Sequence, residues 1–231
     1  MRIGVPAEIK NNEHRVGLTP ESVHELCSVG LEVNIQSQAG SAIGFTDHDY
    51  QQSGATILFS ASDVYKSSDL IVKVKEPLPE EFKFLSSEKT LFTYLHLAGN
   101  KSQAVELMKT GVTGIAYETV TSSDGSLPLL APMSKIAGQI SVVVGQYFLL
   151  KPNGGIGTIL GSVDSIERRV VTVIGAGVAG MEAIKKAIAN DAHLKILDLS
   201  PKRLDELKEQ FGTNNIAVSY THLTLPTTAY V

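Results

Sequence analysis

The chain has 231 residues, 43% hydrophobic and 19% charged, with 20 basic against 24 acidic side chains and a net charge of −4. That composition supports one large or two modest packed domains and argues against disorder. No Lys/Arg block stands out, so nucleic-acid or membrane-surface binding has little support, and the single cysteine, Cys27, excludes an internal disulfide or a Cys-cluster metal site.

Cys27 shares a helical pattern with Val23 and Leu26, which reads as core packing rather than reactivity. The N-terminus, Met1-Arg2-Ile3-Gly4-Val5, lacks the apolar stretch of a signal peptide, and no run of about 18 apolar residues appears. A cytoplasmic protein with no bound metal, no nucleic acid and no membrane partner is therefore expected.

Ile3–Val5 reads as a strand. Thr19 is suited to cap a helix that starts at Pro20 and stops at Gly30. Val33–Ile35 and Ala55–Leu58 read as strands, with Tyr50–Ser53 in a short helix before the second. Leu70–Val74 and Leu91–Leu95 are compact strand-like runs, Ser102–Lys109 is helical and Val112–Ala116 is another strand. This β-α-β rhythm predicts a parallel, doubly wound sheet.

Gly125 to Pro132 is turn-rich and ends the first unit, giving a first domain of residues 1–131. Ile136, Ile140, Val143, Val144 and Tyr147 then recur at helical spacing, so residues 132–168 read as a bridging helix and a glycine-rich loop. The loop, Asn153-Gly154-Gly155-Ile156-Gly157, is either a plain linker or a flexible loop lining an interdomain cleft. Val170–Ile174 reads as a buried strand, Val178–Asn190 as a helix, Leu194–Asp198 as a strand and Lys202–Phe211 as a helix, in a second domain of residues 169–217. The expected fold class is α/β: two doubly wound, Rossmann-like parallel-sheet domains, the second incomplete.

Gly175-Ala176-Gly177-Val178-Ala179-Gly180 follows the strand and opens the helix, the context a dinucleotide-binding turn requires. Gly175 permits the tight turn, Gly177 lets the backbone approach a pyrophosphate, and Gly180 lets helix pack on strand. The helix N-terminus offers N–H donors to the phosphates. Asp198, 18 residues past Gly180, suits hydrogen bonds from the adenosine ribose and opposes a 2′-phosphate, which favours NAD over NADP. Pro201 leaves a second reading of Asp198 open, as a helix N-cap. Arg203 is either an adenine contact or an exposed helix arginine.

Three reactive residues lie at or past strand ends, where open α/β sheets bind ligands: Arg15, Lys75 and His96. A guanidinium clamps a carboxylate, an ammonium polarises a carbonyl and an imidazole moves a proton near neutral pH. Each has a plainer alternative: Arg15 and Lys75 as surface charges, and His96 as a helix cap. His14, His24 and His48 read as surface residues.

Met1-Arg2-Ile3-Gly4-Val5-Pro6, Asn11-Asn12-Glu13-His14-Arg15-Val16, Lys73-Val74-Lys75-Glu76-Pro77, Thr93-Tyr94-Leu95-His96-Leu97, Ala116-Tyr117-Glu118-Thr119-Val120 and Leu127-Pro128-Leu129-Leu130-Ala131-Pro132-Met133-Ser134 resemble the alanine dehydrogenase/pyridine nucleotide transhydrogenase family. The nucleotide-binding subunit of transhydrogenase shares the start and the glycine turn but lacks the segments around Lys75 and His96, so the resemblance favours the alanine dehydrogenase branch. It implies that Arg15 and Lys75 hold the substrate, that His96 is the acid/base residue, and that Ser134, Val178, Asp198 and Arg203 contact NAD, beside Gly175, Gly177, Ala179 and Gly180. The implied reaction is reversible oxidative deamination of L-alanine to pyruvate and ammonia in a homohexamer. The alternatives are the transhydrogenase subunit itself and a non-catalytic NAD-binding module.

The family's catalytic aspartate has no counterpart in this chain. After about Ala217 the residues leave the family pattern, and 218–231 resemble translated adapter sequence behind a broken reading frame more than a native terminus. No function attaches to His222, and the chain is expected to be an inactive fragment.

Overall fold

A computed structural model describes residues 1–212 and 216–219. The chain divides into two compact units, residues 1–127 and the chain from Pro128 onward. In the first, the elements run β1 (Arg2–Val5), α1 (Pro20–Ser28), β2 (Glu32–Gln36), α2 (Asp47–Gln52), β3 (Thr56–Leu58), α3 (Ala61–Ser67), β4 (Leu70–Val72), α4 (Pro79–Phe82), β5 (Thr90–Thr93), α5 (Lys101–Thr110) and β6 (Thr113–Ala116). The six strands form one parallel sheet in the order β3-β2-β1-β4-β5-β6. The chain winds outward from β1 in one direction, then returns to its other side at β4. The carboxyl ends of β1 and β4 therefore flank the topological switch point, the usual ligand crevice of such sheets.

Both faces of the sheet are covered. Ile3, Val5, Val33, Ile35 and Val72 form one apolar cluster with Val23 of α1 and Tyr50 of α2. Ile71 and Leu91 turn the other way and join Tyr65 of α3 and Leu107 of α5. Neighbouring residues of β4 thus serve opposite cores, as the two-residue strand period requires. The expected cap of α1 is present: the Thr19 hydroxyl accepts from the Ser22 amide at 3.2 Å. His14, His24 and His48 are exposed.

Two strands stop sooner than their apolar runs predict. β4 ends at Val72 and β5 at Thr93, although Val74 and Leu95 are buried. Their side chains continue the core, but their amides leave the ladder. Val74 and Lys75 donate to Glu8, and Leu95 and His96 to Glu118.

Beneath this edge lies a buried ionic group. Lys73 Nζ is 3.2 Å from Glu8 and 2.8 Å from Glu81, with side-chain exposures of 0%, 3% and 5%. The Tyr65 hydroxyl donates to Glu81 at 3.0 Å, and burial pushes its own pKa up, with the Glu81 charge adding. The second Glu81 oxygen accepts from the Leu78 amide at 2.9 Å, tying down the start of α4.

In the second unit, α6 (Ala131–Leu149) is followed by β7 (Val170–Ile174), α7 (Val178–Ala189), β8 (His193–Leu197), α8 (Pro201–Phe211) and β9 (Ile216–Ser219). The three strands are parallel in the order β7-β8-β9. The expected departure from the family pattern after Ala217 falls within β9, and the rest of that tail lies outside the described residues.

α6 and α7 cross closely at Gly138, where a Cβ would stand 2.1 Å from the Ala179 carbonyl oxygen. Gln139 donates to Glu182 at 3.0 Å and Gln146 to Asn190 at 3.1 Å along the same contact. The small-residue face of α6 is therefore the packed one. The apolar residues whose spacing marked the helix, Ile136, Ile140, Val143, Val144 and Tyr147, are exposed among the described residues. β7 also differs from its predicted burial: only Val173 is buried, whereas Val170 and Ile174 are each 64% exposed. Alternate residues of β7 point to opposite faces, and α7 covers one of them. No helix among the described residues is long and apolar enough to cross a membrane.

Removing the cation from the buried group leaves two carboxylates without compensation. Lys73→Met is expected to destabilise the first unit by about 3–5 kcal/mol, since breaking a buried pair strands its partners. Urea denaturation of both proteins measures this, and a loss below about 1 kcal/mol contradicts it.

Candidate functional site

The carboxyl edge of the first sheet gathers the three reactive residues. Glu8 follows β1 and reaches across the switch point to the chain beyond β4. Its Oε1 accepts from Val74 N at 2.6 Å and Lys75 N at 3.2 Å, while Oε2 pairs with Lys73. The Lys75 backbone is thereby fixed three residues past the strand. Its side chain is 19% exposed, and its Nζ lies 3.4 Å from Glu76, which also pairs with Lys10.

Arg15 is held by Glu13 through both arms of the guanidinium: Nε donates to Oε1 at 2.8 Å and Nη2 to Oε2 at 2.6 Å. Fork-to-fork pairing of this kind fixes direction as well as distance. The Arg15 hydrogen bond holds Glu13 below the usual carboxylate range, against the opposing effect of burial, and the nearby Lys75 charge contributes further. Glu13 is thus paired with Arg15 and also feels the charge of Lys75. The Arg15 guanidinium is also close enough to Tyr94 for their charges to couple.

Tyr94 links this pair to His96. Burial raises its pKa, with Arg15 opposing and Glu118 adding. Its ring is nearly parallel to the His96 imidazole, with centroids 5.9 Å apart and 12° between the planes, and meets Tyr117 edge-on at 5.0 Å. His96 itself has φ 50° and ψ 34°, the left-handed region, where a non-glycine residue costs about 1–3 kcal/mol. Hydrogen bonds to charged groups contribute about 1.5–3 kcal/mol each, and Glu118 supplies them to the Leu95 and His96 amides. His96 is the N-cap of the short helix Leu97–Gly99 through its backbone, whose carbonyl accepts from Gly99 N at 3.1 Å, while its side chain makes no capping hydrogen bond.

Glu8, Glu13, Tyr94 and Glu118 had no role assigned from sequence. For Glu8, Tyr94 and Glu118 the signal is position: each follows a parallel strand within three residues, where ligand-facing groups gather, while Glu13 lies further along the loop after β1.

In the second unit, Ser134 of α6 joins Gly175, Gly177, Val178, Ala179 and Gly180 in lining a cavity of about 930 Å3. Gly175 has φ +86°, and a Cβ on Gly180 would lie 1.9 Å from the Gly175 carbonyl oxygen, so the turn and its close return both exclude side chains. A Cβ on Gly177 would meet nothing, leaving open space over the turn. Among the described residues no side chain caps the start of α7, and the first turn of a helix offers amides that have no partner within it. An open turn, an uncapped helix start and an adjoining cavity fit the pyrophosphate and adenosine of a dinucleotide.

Asp198 does not cap α8. Ser200 does, accepting from the Arg203 amide at 3.2 Å. Asp198 instead accepts from Ala176 N at 2.7 Å and from Ser200 N at 2.8 Å. Arg203 is half-buried and donates from Nε to the Ala176 carbonyl at 3.1 Å. The Ala176 backbone is therefore held at both of its peptide groups, its N–H by Asp198 and its C=O by Arg203.

Two family models match the chain: alanine dehydrogenase/PNT N-terminal domain over residues 4–137, and alanine dehydrogenase/PNT C-terminal domain over residues 141–227. An alanine dehydrogenase of Staphylococcus epidermidis is 49% identical over 211 residues, covering 91% of this chain and 57% of the relative. The chain thus spans little more than half the length of that curated relative. Among solved structures, an L-alanine dehydrogenase is 47% identical with a TM-score of 0.87, over 96% of this chain and 61% of the other. A transhydrogenase from Sinorhizobium meliloti, 23% identical with a TM-score of 0.78 over 96% and 62%, shares the fold.

The Ala176 amide holds the Asp198 carboxyl below its ordinary value, with the Ser200 amide second. A depressed folded-state pKa contributes stability above the unfolded value of about 3.9, and that contribution disappears as pH falls through the folded value. Carbon-13 titration of the Asp198 carboxyl should therefore give a midpoint below about 3.9. A midpoint at or above that value means the grip on Ala176 is absent.

Proposed function

The chain belongs to the alanine dehydrogenase/PNT family, and from that premise we propose that the protein is an NAD-dependent L-alanine dehydrogenase. The reaction is reversible: L-alanine, NAD+ and water give pyruvate, ammonium, NADH and a proton. The observation that supports this most is the gathering of Arg15, Lys75 and His96 around Glu13 and Tyr94 at one sheet edge. A carboxylate clamp, an ammonium and an imidazole are the groups an amino-acid substrate requires, and a nucleotide-to-nucleotide hydride transfer needs none of them.

Arg15 and Lys75 bind the alanine carboxylate and its amine or carbonyl end. When bound, NAD accepts hydride from the substrate α-carbon. His96 then moves protons as water adds to the resulting imine, and again as the carbinolamine releases ammonia. Ser134, Gly175, Gly177, Val178, Ala179 and Gly180 hold the cofactor along the glycine turn. Asp198 and Arg203 set the adenosine end, where a carboxylate disfavours a 2′-phosphate. A cytoplasmic homohexamer completes the reading, by analogy with the family.

A non-catalytic NAD-binding module is the second reading, favoured by the intact glycine turn alone. Steady-state kinetics of the full-length protein with alanine separate the two. The expected result is turnover with higher kcat/KM for NAD than for NADP, and a kcat loss of about 10²–10⁴-fold in His96→Ala with NAD affinity retained. Equal efficiency with both cofactors contradicts the role of Asp198. An active His96→Ala contradicts that of His96, and NAD binding without turnover in the unmodified protein favours the module.

A further inference from the structure

We infer that Glu118 is the positioning residue of His96: its carboxylate fixes the backbone from which the imidazole reaches the substrate. This rests on the proposed acid/base role of His96. The segment Ala116-Tyr117-Glu118-Thr119-Val120 carries no role in the chemistry as read so far, yet it contacts Tyr94, Leu95 and His96 in turn.

The sheet would otherwise continue here. β5 and β6 pair in parallel as far as Thr93 and Ala116. Beyond Ala116 the chain turns into a short 3-10 helix, Tyr117–Thr119, and stops offering backbone carbonyls to the strand beside it. The Glu118 side chain takes their place. Leu95 N lies 3.1 and 3.2 Å from its two oxygens, and His96 N lies 2.6 Å from Oε1. Two neighbouring amides therefore point at one carboxylate, an arrangement that bends the strand and turns His96 into the left-handed region at φ 50°.

The adjacent residue fixes the ring. Tyr117 packs edge-on against Phe92 at 4.3 Å and against Tyr94 at 5.0 Å, and Tyr94 stacks on the imidazole. Glu118 thus sets where the His96 backbone is, and Tyr117, through Tyr94, sets how its ring lies. Chemistry selects a carboxylate for this place. Both of its oxygens accept, whereas glutamine would turn an N–H2 group towards one of two donors. Aspartate keeps the charge but is one methylene too short for the same reach.

The test uses the full-length enzyme with Glu118→Gln, Glu118→Asp, His96→Ala and the Glu118→Gln/His96→Ala double variant. A misplacement of about 1 Å costs on the order of 10²-fold in rate, so kcat should fall about 10- to 100-fold in each Glu118 variant. Alanine KM and NAD affinity should stay near their original values, which a general loss of folding would not allow. Because Glu118 acts through His96, the double variant should be no slower than His96→Ala alone. Multiplying losses, or an unchanged kcat in Glu118→Gln beside an inactive His96→Ala, overturns the inference and leaves the role of His96 standing. A fully active His96→Ala overturns both. Should Glu118→Gln fail to fold, the Glu118→Asp variant and its double with His96→Ala carry the same expectation.

Discussion

The carboxyl edge of each sheet depends on one interaction: an acidic side chain just past one strand accepts the backbone N–H groups just past its neighbour. Glu8, beyond β1, takes the amides of Val74 and Lys75 beyond β4. Glu118, beyond β6, takes those of Leu95 and His96 beyond β5. Asp198, beyond β8, takes that of Ala176 beyond β7. The physical need is common to all three. Where parallel strands diverge, their last amides lose the partner strand, and a donor left unpaired where water is excluded costs about 1–3 kcal/mol. A charged acceptor satisfies two donors at once and holds the chain in a conformation the ladder would not permit.

That constraint also shapes the chemistry. Lys75, His96 and the glycine turn all follow directly on strands held this way, so the reactive groups stand on fixed backbone rather than on free loops. Around the first sheet the charges then form a connected set: Lys73 compensates Glu8, while Glu13 pairs with Arg15 and feels the charge of Lys75. In the second unit Arg203 completes the hold on Ala176 from the carbonyl side. Pre-organised groups of this kind cost little to align when a substrate arrives.

Much of this architecture was legible in the sequence because it follows from side-chain burial. The alternating apolar runs gave the strands, Thr19 and Pro20 gave the start of α1, and the glycine turn was read with its strand and helix in place. The strand ends were not legible. Val74 and Leu95 extend their apolar runs and are buried, so their pattern reads as strand, yet their amides bond elsewhere. Hydrophobic spacing reports where a side chain goes and says nothing of where an N–H goes. The partners lie 66 and 23 residues away in sequence, beyond the reach of local reading. The short helices α3 and α4 escaped for a related reason: seven and four residues are too few for a helical period to emerge. For α6 and β7 the pattern marked the element but not its packed face. Gly138 and Ala179 decide the helix crossing, and glycine is silent in an apolar count.

Amide hydrogen exchange at Val74, Lys75, Leu95, His96 and Ala176 tests the central claim most directly. All five lie outside the strands, so sequence position alone predicts the fast exchange of loop amides. If the carboxylates hold them, they exchange as slowly as amides in the interiors of β4, β5 and β7. Replacing Glu8, Glu118 or Asp198 by alanine then releases only the amides that each one accepts. Loop-like exchange at these positions in the unmodified protein would contradict the account.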